Sequence, residues 1–290
     1  MLLTVRPARP EDASTLAELY GRTYGGGYSA SFDRYGPIKP RDFWWIQSEK
    51  EVELLEVNGR PAGLLLLARQ GKALVVEEAV GDSLSAEPSR EEQAIVARLG
   101  THLRQHARAM RAERLLLRTP EHNPLGLALA ACLEMPFAHL LVVTSLHPKR
   151  QTARPPQGYA LRRGVPADGA EIARIVRESS PTTRPAEEVA QSLERPEVHA
   201  WVAERSGYVA GFLLAEAHVG GFGDIVAGVR EAHRRRGLGR ALAAGAMSYF
   251  AARQLPVVGL HWGADGVAGA FYRALGFATE RVYLFFERAL

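Results

Sequence analysis

Apolar residues along this chain recur with the periods of helices and strands, and one order of elements occurs twice. A polar segment ending at Asp12 leads into apolar residues spaced three to four apart, which predicts an amphipathic helix with that aspartate as its N-cap. Asp168 precedes a second run of the same kind. Each helix is followed by a strand, a glycine turn and a strand, at residues 56–66 and 204–214. The repeat predicts two domains of one fold in tandem.

Beyond these hairpins the two copies diverge, although each continues to alternate strands with helices. The first copy predicts a long helix from Ser89, as its cap, to Arg114. Both halves are therefore expected to be mixed α/β, each a mixed central sheet flanked by helices. The polar, proline-bearing segment 147–157 is the predicted linker, so the domains are expected at residues 1–150 and 158–290. The other predicted elements are strands at 115–118, 224–229, 257–261 and 282–286 and helices at 123–133, 237–253 and 267–275.

The composition of the 290 residues is that of a globular protein, with 47% hydrophobic and 23% charged residues. This balance excludes wholesale disorder. No apolar run reaches the length of a membrane-spanning helix, and the N-terminal segment lacks the apolar core of a signal peptide. The single cysteine, Cys132, excludes an internal disulfide and a cysteine-based zinc site. We therefore expect a cytoplasmic protein without a membrane partner.

Positive charge is concentrated at one place, although the formal net charge is only +4. Nucleic-acid-binding proteins usually carry a basic stripe, whereas acidic and basic residues are nearly balanced in both halves of this chain. No nucleic-acid partner is therefore expected. The one dense cluster indicates a local site for an anion, and it consists of Arg230, Arg234, Arg235, Arg236 and Arg240.

The arginine cluster lies between a predicted strand and a predicted helix. The strand ends at Val229, and Gly237 and Gly239 open the helix. Glycines let a ligand approach the backbone closely, and the first N–H groups of a helix, together with its dipole, favour a phosphate. Flanking arginines add charge-assisted hydrogen bonds. These residues predict a site for a diphosphate.

Two segments of the second copy resemble motifs of the GNAT N-acetyltransferase superfamily. Arg234, Gly237 and Gly239 follow a strand with the spacing of that family's acyl-coenzyme A signature, Arg/Gln-x-x-Gly-x-Gly/Ala. The segment 265–277 is similar to the family's second motif, Asn-x-x-Ala-x-x-x-Tyr-x-x-x-Gly-Phe, with Tyr272 at its tyrosine and Asp265 where asparagine is usual. The resemblance covers the second half of the chain well and the first half in outline.

The resemblance implies an activity and roles for these residues. It implies that acetyl-coenzyme A donates its acetyl group to a primary amine, which attacks the thioester directly, without a metal. Tyr272 would protonate the departing thiolate, a task that suits a phenol of pKa about 10. The end of the strand would pair with the pantetheine arm, and the arginine–glycine turn would hold the pyrophosphate. The residues implied in cofactor binding are Ala227, Gly228, Val229, Arg234, Arg235, Arg236, Gly237, Leu238, Gly239, Arg240 and Asp265.

The sequence alone does not identify the base that deprotonates the amine. Asp224 and Glu216 are the candidate catalytic carboxylates, each acting through a water molecule, and His218 is a further candidate on the strand of Glu216. Period-two alternation places Asp224 on the face of its strand opposite Val229, which weakens its case unless a bulge intervenes.

The first copy lacks the candidate binding and catalytic residues of the second. It has no arginine cluster and no Gly-x-Gly turn, and its last helix offers Ala130 and Cys132 where the second copy has its tyrosine. By resemblance it is a degenerate copy that has lost cofactor binding. A second interpretation of the whole chain is a non-catalytic acyl-coenzyme A-binding regulatory module, although Tyr272 favours an enzyme. The acceptor stays open between a small-molecule amine and a peptide amine, and a monomer or a homodimer is expected.

One further pair of residues has the spacing of metal ligands. His102 and His106 lie four residues apart on the predicted long helix, so their rings share one face. The sequence offers no third ligand nearby, and the two residues are predicted to be ordinary surface or capping histidines.

Overall fold

A computed structural model describes residues 2–81, 89–152, 154–179, 185–263 and 266–290 of the chain. Both strands and helices occur throughout these residues. The strands are β1 Leu3–Pro7, β2 Tyr28–Ser29, β3 Arg34–Tyr35, β4 Glu51–Val57, β5 Arg60–Gln70, β6 Ala73–Gly81, β7 Arg114–Pro120, β8 Phe137–Leu146, β9 Ala160–Arg163, β10 Val198–Arg205, β11 Tyr208–His218, β12 Phe222–Val229, β13 Val257–Trp262 and β14 Ala278–Ala289. The α-helices are α1 Ala13–Tyr24, α2 Pro40–Ile46, α3 Arg90–Ala109, α4 Pro124–Cys132, α5 Gly169–Ser179, α6 Ala186–Ser192, α7 Leu238–Arg253 and α8 Val267–Leu275.

The chain forms two compact units, and each is discontinuous in sequence. Unit 1 comprises Met1–Val143, His261–Ala264 and Glu280–Leu290, and unit 2 comprises Thr144–Leu260 and Asp265–Thr279. The domains expected at residues 1–150 and 158–290 stay a prediction. The compact units differ from that division chiefly because β14 pairs with β7, which brings the last residues of the chain into unit 1.

Unit 1 has a mixed sheet between two layers of helices. Its strand order is β1-β4-β5-β6-β7-β14-β8, with β6 and β7 parallel and β1, β4 and β5 paired antiparallel to their neighbours. On β5, Leu64 and Leu66 pack with α1 and α2, whereas Leu65 and Leu67 pack in the other core cluster with α3 and α4. Burial on both faces explains why this strand is an unbroken apolar run rather than an alternating one.

Unit 2 repeats the arrangement of unit 1. Its strand order is β13-β12-β11-β10-β9, with β12 and β13 parallel. On β11, Leu213 packs with α7 and α8, whereas Phe212 and Leu214 pack with α5 and α6. The expected fold class is therefore confirmed, since each unit is a mixed α/β sheet with helices on both faces.

A pair of charged residues recurs at the same place in both units. In unit 1, Arg6 donates to the two carboxylate oxygens of Asp12, at 2.7 and 3.0 Å. In unit 2, Arg162 donates to both oxygens of Asp168, at 2.8 Å each. Each arginine also binds a glutamate of the following hairpin, Glu56 in unit 1 and Glu204 in unit 2.

Asp12 and Asp168 each directly precede an α-helix, as predicted, and Asp12 is the N-cap residue of α1. The Asp12 side chain, however, makes no capping hydrogen bond to that helix. Asp12 accepts the N–H of Arg9 at 2.8 Å, and Asp168 accepts the N–H of Val165 at 2.9 Å. Each carboxylate thereby closes a three-residue 3₁₀ turn that precedes the α-helix. The sequence pattern marks the start of a helical segment correctly but does not distinguish the short turn from the helix that follows it.

The predicted start of helix α3 is confirmed, whereas its predicted end is wrong. Ser89 accepts the N–H of Glu92 at 3.2 Å, and the Glu92 carboxylate accepts the N–H of Ser89 at 2.6 Å, which is a capping box. The helix ends at Ala109 rather than at residue 114, because the chain turns at Arg111 with a φ of 53°. None of the described helices is both long and apolar enough to cross a membrane.

Candidate active site

Strands β12 and β13 of unit 2 diverge after a short paired stretch. Among the described residues they are in register only where Gly223 faces Val257 and Asp224 faces Val258. Beyond that point, the edge of β12 from residue 225 to 229 faces a gap instead of a neighbouring strand. An open strand edge offers backbone hydrogen bonds to an extended ligand.

The open edge of β12 leads into the arginine–glycine turn. Gly237 has a φ of 81°, in the left-handed region that favours glycine, and it is the N-cap of α7. Arg235 also has a left-handed φ, of 60°. The first N–H groups of α7 have no intrahelical partners, and with the helix dipole they concentrate positive potential at this turn.

A cavity of about 510 Å³ joins the turn to the open edge of β12. This volume lies within the range of roughly 300–1,000 Å³ that is typical of small-molecule sites. Close packing shapes the cavity, because a Cβ at Gly239 would lie only 3.0 Å from the ring of Phe271. The lining residues are Glu178, Ala227, Gly228, Val229, His233, Arg234, Arg235, Gly237, Leu238, Gly239, Arg240, Val267, Ala268, Ala270, Phe271, Tyr272 and Ala274.

The structure separates the arginines that the sequence treats alike. Arg234, Arg235 and Arg240 are among the lining residues of the cavity, whereas Arg236 is not. The Nε atom of Arg234 donates to the carbonyl of Val229 at 2.9 Å, which holds this guanidinium beside the end of β12. Arg236 instead donates to a carbonyl of its own turn at 3.3 Å. That Arg236 binds the cofactor stays a prediction.

Tyr272 lies where β12 and β13 part. Its hydroxyl donates to the carbonyl of Ile225 at 3.2 Å. Its ring packs on Gly259 of β13, where a Cβ would lie 2.5 Å from the tyrosine Cε1. Tyr272 is only 7% exposed. Burial, with a smaller contribution from the charge of Asp224, raises the pKa of Tyr272 above its ordinary value, so the phenol is protonated at neutral pH.

Asp224, Glu216 and His218 lie together on β11 and β12 but do not line the cavity. Both oxygens of Glu216 are held by Arg195, at 3.0 Å each. The Oδ1 atom of Asp224 lies 3.4 Å from Nε2 of His218, and the Asp224 side chain is 39% exposed. The register between the two strands runs without a shift, so Asp224 lies on the face opposite Val229, as alternation predicts.

Several residues of the cavity were not singled out from the sequence. His233 lies in the arginine-rich turn and shares a hydrogen bond of 2.7 Å with the hydroxyl of Tyr159. Burial and the neighbouring arginines lower the pKa of His233, so it is neutral at pH 7. Its place inside the predicted anion site was the available signal. Phe271 also lines the cavity, and the sequence signal that could have indicated this was its position directly before Tyr272. Asp265 lies outside the described residues.

The corresponding region of unit 1 is filled by the protein itself. Ala79 of β6 corresponds to Ala227 of β12 by its place opposite the preceding strand. Asn123, at the start of α4, donates its side-chain amide to the carbonyl of Ala79 at 2.6 Å. Leu125 packs so closely on Gly81 that a Cβ there would lie 2.9 Å from the leucine Cδ2. The gap beside β6 is therefore occupied by α4.

The sequence and the structure both match known proteins. Residues 170–277 match the sequence model of the acetyltransferase (GNAT) family. No curated protein sequence matches the chain significantly. The GCN5-related N-acetyltransferase of Sphaerobacter thermophilus is 18% identical with a TM-score of 0.68, and the match covers 99% of this chain and 95% of that chain. A tandem GNAT protein from the clavulanic acid biosynthesis pathway is 18% identical with a TM-score of 0.65, over 99% of this chain and 98% of that chain.

A third solved structure, a GNAT-family acetyltransferase of Colwellia psychrerythraea, is 12% identical with a TM-score of 0.55, over 98% of this chain and all 100% of that chain. At these identities the likeness shows a shared fold. The arginine–glycine turn, the open edge of β12 and Tyr272 all lie within the residues that match the family model. Residues 170–277 therefore resemble the acetyltransferase (GNAT) family, and the whole chain shares the fold of solved GNAT structures, one of which is a tandem protein.

Proposed function

We propose that the protein is an N-acetyltransferase, which moves the acetyl group of acetyl-coenzyme A to a primary amine of a small-molecule or peptide acceptor. The observation that carries the proposal is the continuity of one cavity, from the arginine–glycine turn along β12 to Tyr272. An anion site, a strand edge and a proton donor follow one another in the order of the diphosphate, the pantetheine arm and the thioester of an acyl-coenzyme A.

The donors along the cavity fit this ligand. Arg234, Arg235 and Arg240 offer charge-assisted hydrogen bonds to a pyrophosphate, and the N-terminus of α7 offers backbone N–H groups. Ala227 and Val229 belong to the part of β12 that has no neighbour on the side of β13, so peptide groups on that edge can bond the amides of pantetheine. The apolar lining residues, such as Val267 and Phe271, suit the alkyl parts of the arm.

The protein's own residues would then transfer the protons of the reaction. When bound, acetyl-coenzyme A supplies a thioester that an amine can attack without a nucleophile from the protein. The new C–N bond forms as the C–S bond breaks, so one proton must leave the amine and one must reach the thiolate. Tyr272, held protonated by its burial, donates to the sulfur.

Asp224 is the proposed acceptor of the amine proton, through a water molecule. Its charge contributes to the raised pKa of Tyr272, which supports this role, and His218 lies 3.4 Å from its carboxylate. Glu216 is less suited to this role because Arg195 binds both of its oxygens.

Calorimetric titration of acetyl-coenzyme A into two variants of Gly237 tests the cofactor site. Asparagine and aspartate both tolerate the left-handed backbone better than other residues, so Gly237→Asn and Gly237→Asp strain the turn alike. Only the aspartate places a negative charge against the diphosphate. We expect Gly237→Asp to bind acetyl-coenzyme A at least about tenfold more weakly than Gly237→Asn, because like charges meet in a partly desolvated site.

The control for this pair is Gln93→Glu, which adds a negative charge to the first turn of α3 in unit 1 and should leave the affinity unchanged. Equal affinities of the two Gly237 variants, or a loss in Gln93→Glu, contradict the placement of the diphosphate. Release of free thiol in the presence of primary amines then measures turnover. Binding without turnover for any amine supports the regulatory module instead of the enzyme.

A further inference from the structure

Away from the cavity, two histidines and two glutamates of unit 1 converge. His102 and His106 lie about one turn apart on α3, and Glu51 and Glu53 lie two residues apart on β4. Alternation puts both glutamates on the same face of β4 as Leu55, which packs in the core cluster with α3. The structure thus supplies the carboxylate ligands that the sequence pattern around the histidines lacks.

The distances within this group are those of metal ligands. The Nε2 atom of His102 lies 2.9 Å from each oxygen of Glu53, and Nε2 of His106 lies 3.2 Å from Oε2 of Glu51. Ligand atoms of Glu53, His102 and His106 all lie within 4.8 Å of one another. A tetrahedral zinc ion with bonds of about 2.0–2.1 Å holds its ligand atoms about 3.3 Å apart, which falls inside these spacings.

Burial distinguishes the group from an ordinary surface ion pair. Glu53 is only 3% exposed, and a buried carboxylate is costly unless its oxygens are well bonded. His102 offers it a single imidazole N–H midway between two oxygens, which together have about four acceptor sites. The Nε2 atom of His106 is also buried and makes no hydrogen bond within the described part of the chain. A carboxylate oxygen of Glu53 and a ring nitrogen of His106 thus lie within 4.8 Å of each other.

We propose that Glu53, His102 and His106 bind a divalent transition-metal ion, best matched by zinc, with Glu51 as the fourth ligand. Imidazole nitrogens combined with carboxylate oxygens suit zinc, whereas magnesium and calcium favour oxygen ligands throughout. Four ligands from the protein make a closed, structural site, which ties α3 to β4. The site belongs to unit 1, whereas the cavity of the proposed enzyme belongs to unit 2.

A second group with similar spacing carries no such proposal. Glu216, His218 and Asp224 also place ligand atoms within 4.8 Å of one another. Arg195 holds both oxygens of Glu216, so one carboxylate and one imidazole remain there. This group serves instead as an internal comparison in the test.

Titration of Zn²⁺ into the metal-free, full-length chain tests the proposal. We expect one zinc ion per chain with micromolar or tighter affinity, and a higher midpoint of thermal unfolding when zinc is present. His106→Gln and Glu53→Gln should each weaken the affinity more than about tenfold. His122→Gln is the matched control, because His122 forms a solvent-exposed pair with Glu121 at 3.4 Å and should bind zinc like the wild type.

Three results would overturn the site. The first is a wild-type chain that binds no zinc at micromolar concentrations, which makes the four residues plain ion pairs. The second is unchanged zinc binding in His106→Gln. The third is zinc binding that His218→Gln abolishes. Circular dichroism of each metal-free variant separates a lost ligand from a lost fold, and the wild-type stoichiometry decides the question even if a variant does not fold.

Discussion

Units 1 and 2 have the same fold and differ most at one pair of parallel strands. Strands β6 and β7 are in register from Ala73 with Arg114 to Val76 with Leu117, and β12 and β13 also part after a short paired stretch. Both units therefore contain a gap beside the strand that follows the hairpin. In unit 1 helix α4 fills it, and in unit 2 a cavity stays open. The fold supplies the gap, and the side chains of a following helix decide whether it becomes a site.

The helices that follow these strands differ in the charge of their first turn. Helix α3 of unit 1 begins with the Ser89 capping box and carries Glu91 and Glu92, so its own carboxylates meet the positive end of its dipole. Helix α7 of unit 2 has no acidic residue in its first turn and has Gly237 as its N-cap. An anion is therefore repelled at the first helix and attracted at the second.

The largest expected effect concerns Tyr272, the proposed proton donor of unit 2. Tyr272→Phe should lower kcat about 10²–10⁴-fold, as the loss of a general acid does, and leave the affinity for acetyl-coenzyme A unchanged. Steady-state kinetics and calorimetry together measure this. Burial raises the pKa of Tyr272 above 10.0, so the phenol stays protonated in mild alkali. At pH values up to about 10, ionisation of Tyr272 should therefore not lower kcat.

Tyr35→Phe is the control for this substitution, since the hydroxyl of Tyr35 donates to Glu280 in unit 1, at 2.7 Å. It should leave kcat unchanged. A kcat that Tyr272→Phe does not alter would remove the proton donor from the mechanism and with it the chief chemical difference between the units.

A smaller effect is expected from opening the filled gap of unit 1. Leu125→Ala removes a buried side chain that packs on Gly81, which should lower the free energy of unfolding by about 2–5 kcal/mol. Asn123 and the acidic first turn of α3 remain, so acetyl-coenzyme A should still bind with one molecule per chain. Denaturant unfolding and calorimetric stoichiometry measure the two outcomes.

Leu2→Ala, at an exposed position of unit 1, is the control for stability and should change it by less than about 0.5 kcal/mol. A second molecule of acetyl-coenzyme A bound to Leu125→Ala would show that packing alone, rather than charge, keeps the first unit from binding it.

The smallest effect concerns the feature that the units share. Asp12→Asn and Asp168→Asn should each lower the free energy of unfolding by about 1–2 kcal/mol, because a doubly bonded carboxylate is lost at a partly exposed site. The bound arginines hold the pKa of both aspartates below the ordinary 3.8. Their stabilisation is therefore present above about pH 4 and is lost as the pH falls through the folded-state values.

Unfolding of the wild type and the two variants should accordingly differ at neutral pH and converge in acid. Chemical denaturation at several pH values measures this. Losses that stay the same in acid would assign the effect to packing, and a large difference between Asp12→Asn and Asp168→Asn would show that the two copies are no longer equivalent at this pair.

The parts of the site that the sequence predicts are those whose signals are local. Gly237 opens α7 one residue before its first helical residue, and α8 has the predicted bounds, because caps, turns and helical periodicity depend on neighbours in the chain. The sequence does not reveal that Arg234 and Arg235 line the cavity and Arg236 does not, nor that Arg235 has a left-handed φ.

The parts that the sequence does not predict depend on contacts between distant segments. Glu53 meets His102 only because β4 lies under α3, and Arg195 reaches Glu216 only once β11 is in place. One-dimensional spacing contains no information about such pairs. The pairing of β14 with β7 belongs to the same class.

That pairing of β14 affects the order in which the protein is made. Residues from Tyr283 to Ala289 align with β7 between Pro120 and Arg114, inside unit 1. A nascent chain leaves the ribosome from its N-terminus, and domains generally fold as they emerge. Unit 1 cannot complete its sheet until residues 280–290 have emerged, after every residue of unit 2. The unit that begins synthesis first is thus the last to finish folding, and the edge of β7 stays open while unit 2 is being translated.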